Sequence, residues 1–310
     1  MEIWKVNFKV EGEITQLPDS QRIFGVLVSR MSDLYGSDKA TEFCKNIKER
    51  KEQVFISNLF PKGYLPVPQK YLFDKIADGN KTMYKEIKKR DFVEINSLKG
   101  ILEGKKDMIK SCKYIKSTIK QQTRASISDT LGVPNNIFSV PYVRLIECEN
   151  EEENKLTEFC FYIKACSSSL MYSFVKSFKQ GDTLILGKRA SQGFNIFTFM
   201  SMEENKWEIQ DSNTYLNLGM LLPSKNANID TKRSSLEIFT SQRRPFVSDG
   251  VWNRERIPQI FISFLKPGSI IVSNSSEEVI GETIESPFNK RDVVFGNSFF
   301  LPIEVKYEKI

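Results

Sequence analysis

Residues 187 to 195 read Gly187-Lys188-Arg189-Ala190-Ser191-Gln192-Gly193-Phe194-Asn195, with two glycines bracketing two cations and two polar side chains. Glycine lets a backbone come close to a ligand, so such a loop can offer N–H groups to phosphate while Lys188 and Arg189 neutralise its charge. It is not a P-loop, because Gly-x-x-x-x-Gly-Lys-Ser/Thr is absent and the loop falls between a helix and a strand. The plainer reading is a mobile basic turn. A second cationic segment is Gln242-Arg243-Arg244-Pro245-Phe246. Guanidinium and ring both stack on unpaired bases while the charge serves phosphate. Phe246 in the core, with the two arginines exposed, fits the same segment equally well. Arg22 is a third candidate, beside Ser20 and Gln21 in the first turn of an expected helix, where free N–H groups favour an anion. Lys106, Lys110, Lys113, Lys116 and Lys120 fall at spacings of three and four. They predict one cationic face if the segment is helical, although a charge stripe is more often simply solvated.

Catalytic chemistry has little to work with. The chain has no histidine, which removes the commonest acid–base group at neutral pH and the commonest metal ligand. Gly-x-Ser-x-Gly is missing, Ser-His and Cys-His pairs are impossible, and no close acidic constellation stands out. The five cysteines show no Cys-x-x-Cys spacing, which favours small buried hydrophobes in a reducing compartment over a disulfide framework or a zinc site. No catalytic residue, metal or cofactor is therefore expected. The net charge of +6 permits a polyanionic partner. No apolar run reaches about 18 residues, so no membrane span is expected. Met1-Glu2-Ile3-Trp4-Lys5 lacks a signal-peptide pattern, and a cytoplasmic location is expected.

The elements that must position these residues follow from periodicity. Trp4 to Val10 alternates as a half-buried strand; Pro18-Asp19-Ser20 opens a helix whose apolar face is Ile23, Phe24, Val26, Leu27, Met31 and Leu34. The helical pattern breaks near Gly36 and resumes through Phe43 and Ile47. A turn-rich segment, Phe60 to Pro68, and a lysine-rich stretch, Lys81 to Arg124, come next. Strands are expected at Ile137–Leu145 and Phe159–Ile163, a hairpin tip at the acidic run Glu149 to Glu153, a helix from Leu170 to Phe178 and a strand at Phe194–Phe199. The order strand–helix–strand–strand–helix–strand predicts an α+β, ferredoxin-like unit over residues 1–202, with an insertion at about 55–155. Residues 203–310 read as a second, smaller α+β domain.

Taken in order, these pieces resemble a known family, the fourth subunit of the Csm effector complex of type III-A CRISPR systems, within the RAMP superfamily. The resemblance runs nearly end to end. It rests on Trp4 to Val10, Ser20 to Leu27, Phe60 to Pro68, the loop Gly187 to Phe194, Arg243-Arg244-Pro245-Phe246-Val247-Ser248, Pro267-Gly268-Ser269, Ile280-Gly281 and Phe299 to Ile303. It implies two ferredoxin-like (RAMP/RRM-like) domains, the first carrying the glycine-rich loop, and an inserted thumb wedged between handle and guide. It also implies binding of the 5′ handle of the CRISPR RNA and contacts to the large polymerase-like subunit and to the first copy of the backbone subunit. Lys188, Arg189, Ser191, Gln192, Gly193, Arg22 and Arg243 then become RNA contacts by resemblance, joined by Arg124 and Arg244. Phe194 and Phe246 become stacking candidates. The chain departs from the family in having Asn195 where glycine is usual and Asp129 where a basic residue is common. The alternative function is a RAMP-family CRISPR RNA-processing endoribonuclease, but many of those use a histidine that is missing here.

Overall fold

The structure is a computed structural model and describes residues 1–77, 79–127, 134–149, 152–205, 207, 212–241, 261–274, 281–287 and 292–305. The chain opens with β1 (Glu2–Val10), followed by α1 (Ser20–Tyr35) and α2 (Ser37–Lys48). Val6, Phe8 and Val10 are buried by alternation along the strand, and Ile23, Phe24, Leu27 and Met31 by helical spacing. These two periods join one core, in which Phe8 stacks on Phe161 with ring centroids 5.8 Å apart. Asp19 caps α1 by accepting a hydrogen bond from the Arg22 N–H at 2.9 Å. Gly36 ends α1 at φ +92°, a conformation that glycine adopts without strain, and this produces the break between the two helices.

Next come β2 (Val54–Ile56), β3 (Phe60–Pro61), β4 (Tyr64–Pro66), α3 (Gln69–Leu72), α4 (Lys81–Lys88), β5 (Phe92–Glu94), α5 (Ile95–Leu102) and α6 (Lys106–Ser111). The long strands β6 (Tyr114–Ile127) and β7 (Pro134–Glu149), then β8 (Glu152–Lys155), complete the inserted segment. After it come β9 (Glu158–Ala165), α7 (Leu170–Lys176), β10 (Thr183–Ile185) and β11 (Ile196–Glu204). The first sheet runs β10-β11-β1-β9-β2, with β3 also on β9, and every pairing in it is antiparallel. The chain thus passes strand–helix–strand, then through the insertion, and on through strand–helix–strand, as its periodicity predicts. The fourth main strand of that path lies beside the first, and the second beside the third.

The insertion forms its own antiparallel sheet in the order β4-β5-β6-β7-β8. Here the expected lysine helix is corrected. Lys106 and Lys110 lie on α6, whereas Lys116 and Lys120 lie on β6. Ile115, Thr118, Ile119 and Thr123 are β-branched, and β6 finds a full-length partner in β7, from Tyr114 opposite Cys148 to Ile127 opposite Pro134. Of the acidic run, Glu149 ends β7 and Glu152 and Glu153 begin β8, with Glu149 opposite Glu152; residues 150 and 151, where the hairpin tip was expected, lie outside the described residues.

The remaining strands are β12 (Thr214–Asn217), β13 (Ile238–Ser241), β14 (Ile262–Leu265), β15 (Ile270–Val272), β16 (Ile284–Glu285), β17 (Val293–Val294) and β18 (Phe300–Pro302). They form a three-stranded sheet, β15-β12-β18, and two strand pairs. The described residues from 212 onward contain no helix, so the helical part of the expected second α+β unit is not found among them. This half shares the main core through Leu216, Leu218, Ile270, Phe295 and Phe299. Polar seams fasten it as well. Ser20, expected to face RNA, is instead fully buried, and its Oγ accepts from the Met220 N–H at 2.9 Å while its own N–H donates to Asn58. No helix among the described residues is long and apolar enough to cross a membrane.

Candidate nucleic-acid interface

The glycine loop lies between β10 and β11. A single 3-10 turn, Ala190–Gln192, is flanked by two left-handed residues, Arg189 at φ 67° and Gly193 at φ 81°. Lys188, Arg189, Ser191, Gln192 and Gly193 are all exposed. Neither Lys188 nor Arg189 has an ion-pair partner among the described residues. Among the described residues the Arg189 guanidinium donates only to the Gln192 side chain, at 3.1 Å.

Asn195 holds the loop in place. It takes a left-handed φ of 58°, which asparagine tolerates better than most side chains, so it meets the backbone demand that a glycine would meet. It is fully buried. Its Oδ1 accepts from the Thr15 N–H at 2.9 Å, and its Nδ2 donates to the Lys188 carbonyl at 2.6 Å and to Thr15 Oγ1 at 2.9 Å. The departure from glycine at this position therefore adds a clamp. Gly187 is needed beneath it, since a Cβ there would lie 2.7 Å from the Asn195 amide. Gly12 lets the Gly193 carbonyl approach, because a Cβ at residue 12 would lie 2.0 Å from that oxygen. Gly12→Val is accordingly expected to displace the loop and cost about 2 kcal/mol or more from overpacking, measurable by urea denaturation.

The inserted hairpin reaches this loop. Arg124 on β6 donates to the Gln192 carbonyl at 3.1 Å and lies 4.9 Å from the centroid of the Phe194 ring. That contact corrects the stacking role expected of Phe194. The ring is 1% exposed and one face is taken by the guanidinium, so it holds the hairpin and cannot receive a base. Lys116, Lys120 and Arg124 share one face of β6, with Tyr142 opposite Lys120 and Phe138 opposite Arg124 on β7. The half-buried rings of Tyr142 and Phe138 thus alternate with cations beside the loop, and Arg144 lies 5.8 Å from the Tyr142 ring. These aromatic positions are additions to the sequence reading. The strand expected at Ile137–Leu145 already holds both rings; the even spacing of Lys116, Lys120 and Arg124, which a strand places on one face, was the signal that could have set cations opposite them.

Arg22 is half-buried, and burial lowers its guanidinium pKa from the ordinary value. With its amide oxygen turned toward Arg22, Gln16 accepts from both terminal nitrogens at 2.9 and 3.0 Å. Through Gln16 and its neighbour Thr15, Arg22 is linked to Asn195 and the loop. Gln21 is half-buried beside it. Arg243, Arg244 and Phe246 lie outside the described residues. Glu13, two residues before Thr15, is engaged by Arg144 at 3.5 Å and Lys155 at 2.9 Å. The described residues hold no group of acids and cysteines able to bind a metal.

No protein-family model matches the sequence, and no curated protein does. Solved structures do. A chain of the Csm1-Csm4 cassette in complex with pppApA aligns over 99% of this chain and 100% of its own, with a TM-score of 0.57 and 14% identity. A chain of the Csm3-Csm4 subcomplex in the type III-A CRISPR-Cas interference complex aligns over 98% and 100%, with a TM-score of 0.59 and 15% identity. At such identities the likeness is one of fold. Csm4 is the component that the two matched assemblies have in common.

Proposed function

We propose that this chain takes the place of Csm4 in a type III-A interference complex, where it binds the 5′ handle of the CRISPR RNA and performs no chemistry. The observation that carries the reading is the clamped glycine loop. Its two cations are exposed and have no ion-pair partner among the described residues, its conformation is held from below by Asn195, and Arg124 closes it from the inserted hairpin. Such an arrangement supplies phosphate neutralisation and backbone donors, while Tyr142 and Phe138 offer rings to unpaired bases. The antiparallel path of the first sheet supports a ferredoxin-like unit over 1–202, with the segment at about 55–155 as its thumb. Residues 203–310 form the second, ferredoxin-like domain of this proposal.

The partners follow from the same reading. They are CRISPR RNA, the large polymerase-like subunit corresponding to Csm1, and the first copy of the backbone subunit corresponding to Csm3, in a cytoplasmic complex. Lys188→Ala with Arg189→Ala removes two phosphate contacts. The plot of log affinity against log salt for handle-bearing RNA should become shallower by about 1.4 units. An unchanged affinity together with an unchanged slope would sink the assignment. Cleavage of repeat RNA that follows this chain through purification, and is lost on changing one of its side chains, would replace it with the endoribonuclease reading.

A further inference from the structure

Helix α4 carries a second surface of the kind that unpaired RNA uses. Lys81, Tyr84, Lys85 and Lys88 stand at i, i+3, i+4 and i+7, on one side of the helix, and all four are exposed. Met83 and Ile87, which are 5% and 0% exposed, anchor the opposite side in the core and so fix the cationic side outward. Tyr84 is 44% exposed and stacks on Phe73 with centroids 4.3 Å apart and planes at 26°. Phe73 begins the π-helical turn Phe73–Ala77, which sets the ring from below. The one carboxylate of α4, Glu86, is engaged by Lys89 at 2.8 Å and Arg90 at 3.0 Å. Lys81, Lys85 and Lys88 are left without an ion-pair partner among the described residues. Lys75, on the π-helical turn, is exposed as well.

A merely solvated lysine face gives no reason to hold a stacked aromatic ring in the open at its centre. A protein interface is also a poor fit, because lysine is depleted there and the patch contains a single exposed ring. Cations around a pre-oriented ring match phosphates around a base. The position is separate from the glycine loop. Arg90, just beyond α4, lies 4.3 Å from the ring of Tyr114 at the start of β6, whereas Arg124 meets the loop near the far end of that strand. The intervening stretch of strand is about 33 Å long.

We propose that α4 is a second contact for single-stranded RNA, with Tyr84 stacking on a base and Lys81, Lys85 and Lys88 neutralising phosphates. The inference does not rest on the handle reading. It is tested on the full chain with a labelled oligouridine, titrated at several salt concentrations. Changing Lys81, Lys85 and Lys88 to Gln should make the salt slope shallower by about 2 units. Tyr84→Ala should weaken binding about tenfold, while Tyr84→Phe, which keeps the stack on Phe73, should bind like the parent. All four side chains are exposed, so thermal midpoints should stay at the parent value; Tyr84→Leu provides a second apolar replacement without a flat ring. Unchanged RNA affinity in the triple variant and in Tyr84→Ala would overturn the proposal. Lost binding of a Csm1- or Csm3-type subunit with RNA affinity intact would overturn it too, in favour of a protein surface. The Lys188 and Arg189 variants run alongside separate the two sites. Losses confined to α4 would uphold this site and sink the loop, and losses confined to the loop would do the reverse.

Discussion

Asn195→Ala is expected to destabilise the protein by about 3 kcal/mol and to abolish ordered RNA binding by the glycine loop, more completely than removal of either cation. The side chain is fully buried, and it supplies acceptor and donor to Thr15 together with a donor to the Lys188 carbonyl. Alanine takes these partners from the Thr15 N–H and the Lys188 carbonyl in a part-buried site, and a buried polar group without a partner costs about 1–3 kcal/mol. It also places a Cβ-bearing residue with no compensating hydrogen bonds at φ 58°, which adds about 1 kcal/mol of strain. Asn195→Gly separates the two contributions, because it keeps the left-handed backbone and loses only the clamp. Urea denaturation and affinity for handle-bearing RNA would be measured on both variants. Alanine and glycine variants that both bind RNA as the parent does would show that the clamp is irrelevant to the site.

Asn217→Ala should produce the largest loss of stability of any substitution considered, about 4 kcal/mol, with its first effect on the C-terminal sheet. Asn217 is fully buried near the end of β12. Its Nδ2 lies 3.0 Å from each of the carbonyls of Gly219, Leu265 and Lys266, and its Oδ1 accepts from Ser298 Oγ. One amide therefore joins the turn after β12 to the end of β14 and to the segment leading into β18. Removing it takes from the Gly219 carbonyl its side-chain partner, leaves the Leu265 and Lys266 carbonyls only their backbone donors and cuts the bond to Ser298, all in a tightly packed seam where a Cβ at Gly219 would meet the Ile56 carbonyl at 2.5 Å. Thermal unfolding followed by tryptophan fluorescence should register the change, since Trp207 contacts Phe299. A loss below about 0.5 kcal/mol would mean that the seam is redundant. RNA affinity of the folded fraction should stay near the parent value, in contrast to Asn195→Ala.

Much of this fold was legible from local pattern. The alternation of Trp4 to Val10, the helical face of Ile23, Phe24, Leu27 and Met31, and the break at Gly36 all appear where periodicity placed them. These features depend on the backbone's two repeats and on glycine's access to positive φ, which neighbouring residues are enough to reveal. The glycine loop was legible for the same reason, as was the exposure of Lys188 and Arg189 at its tip.

Other assignments depended on contacts between residues far apart in sequence. Lys106 to Lys120 satisfies a helical spacing and a strand spacing at once, and only pairing with β7 selected the strand beyond Lys113. Phe194 was legible as an aromatic beside a basic loop, but its burial depends on Arg124, seventy residues earlier, settling over the ring. Ser20 has the type and place of an anion contact, yet the Met220 N–H comes to it from the other half of the chain. Asn195 carried no local sign that three of its hydrogen bonds would converge on Thr15 and Lys188. The sequence by itself determined the element types of the first strand and the two helices after it, and the presence of an exposed cationic loop, because those follow from short-range sterics and polarity. Only the tertiary structure decided which polar groups face solvent and which brace the core, because a side chain's hydrogen-bond partners and its burial are set by segments that meet only when the chain has folded.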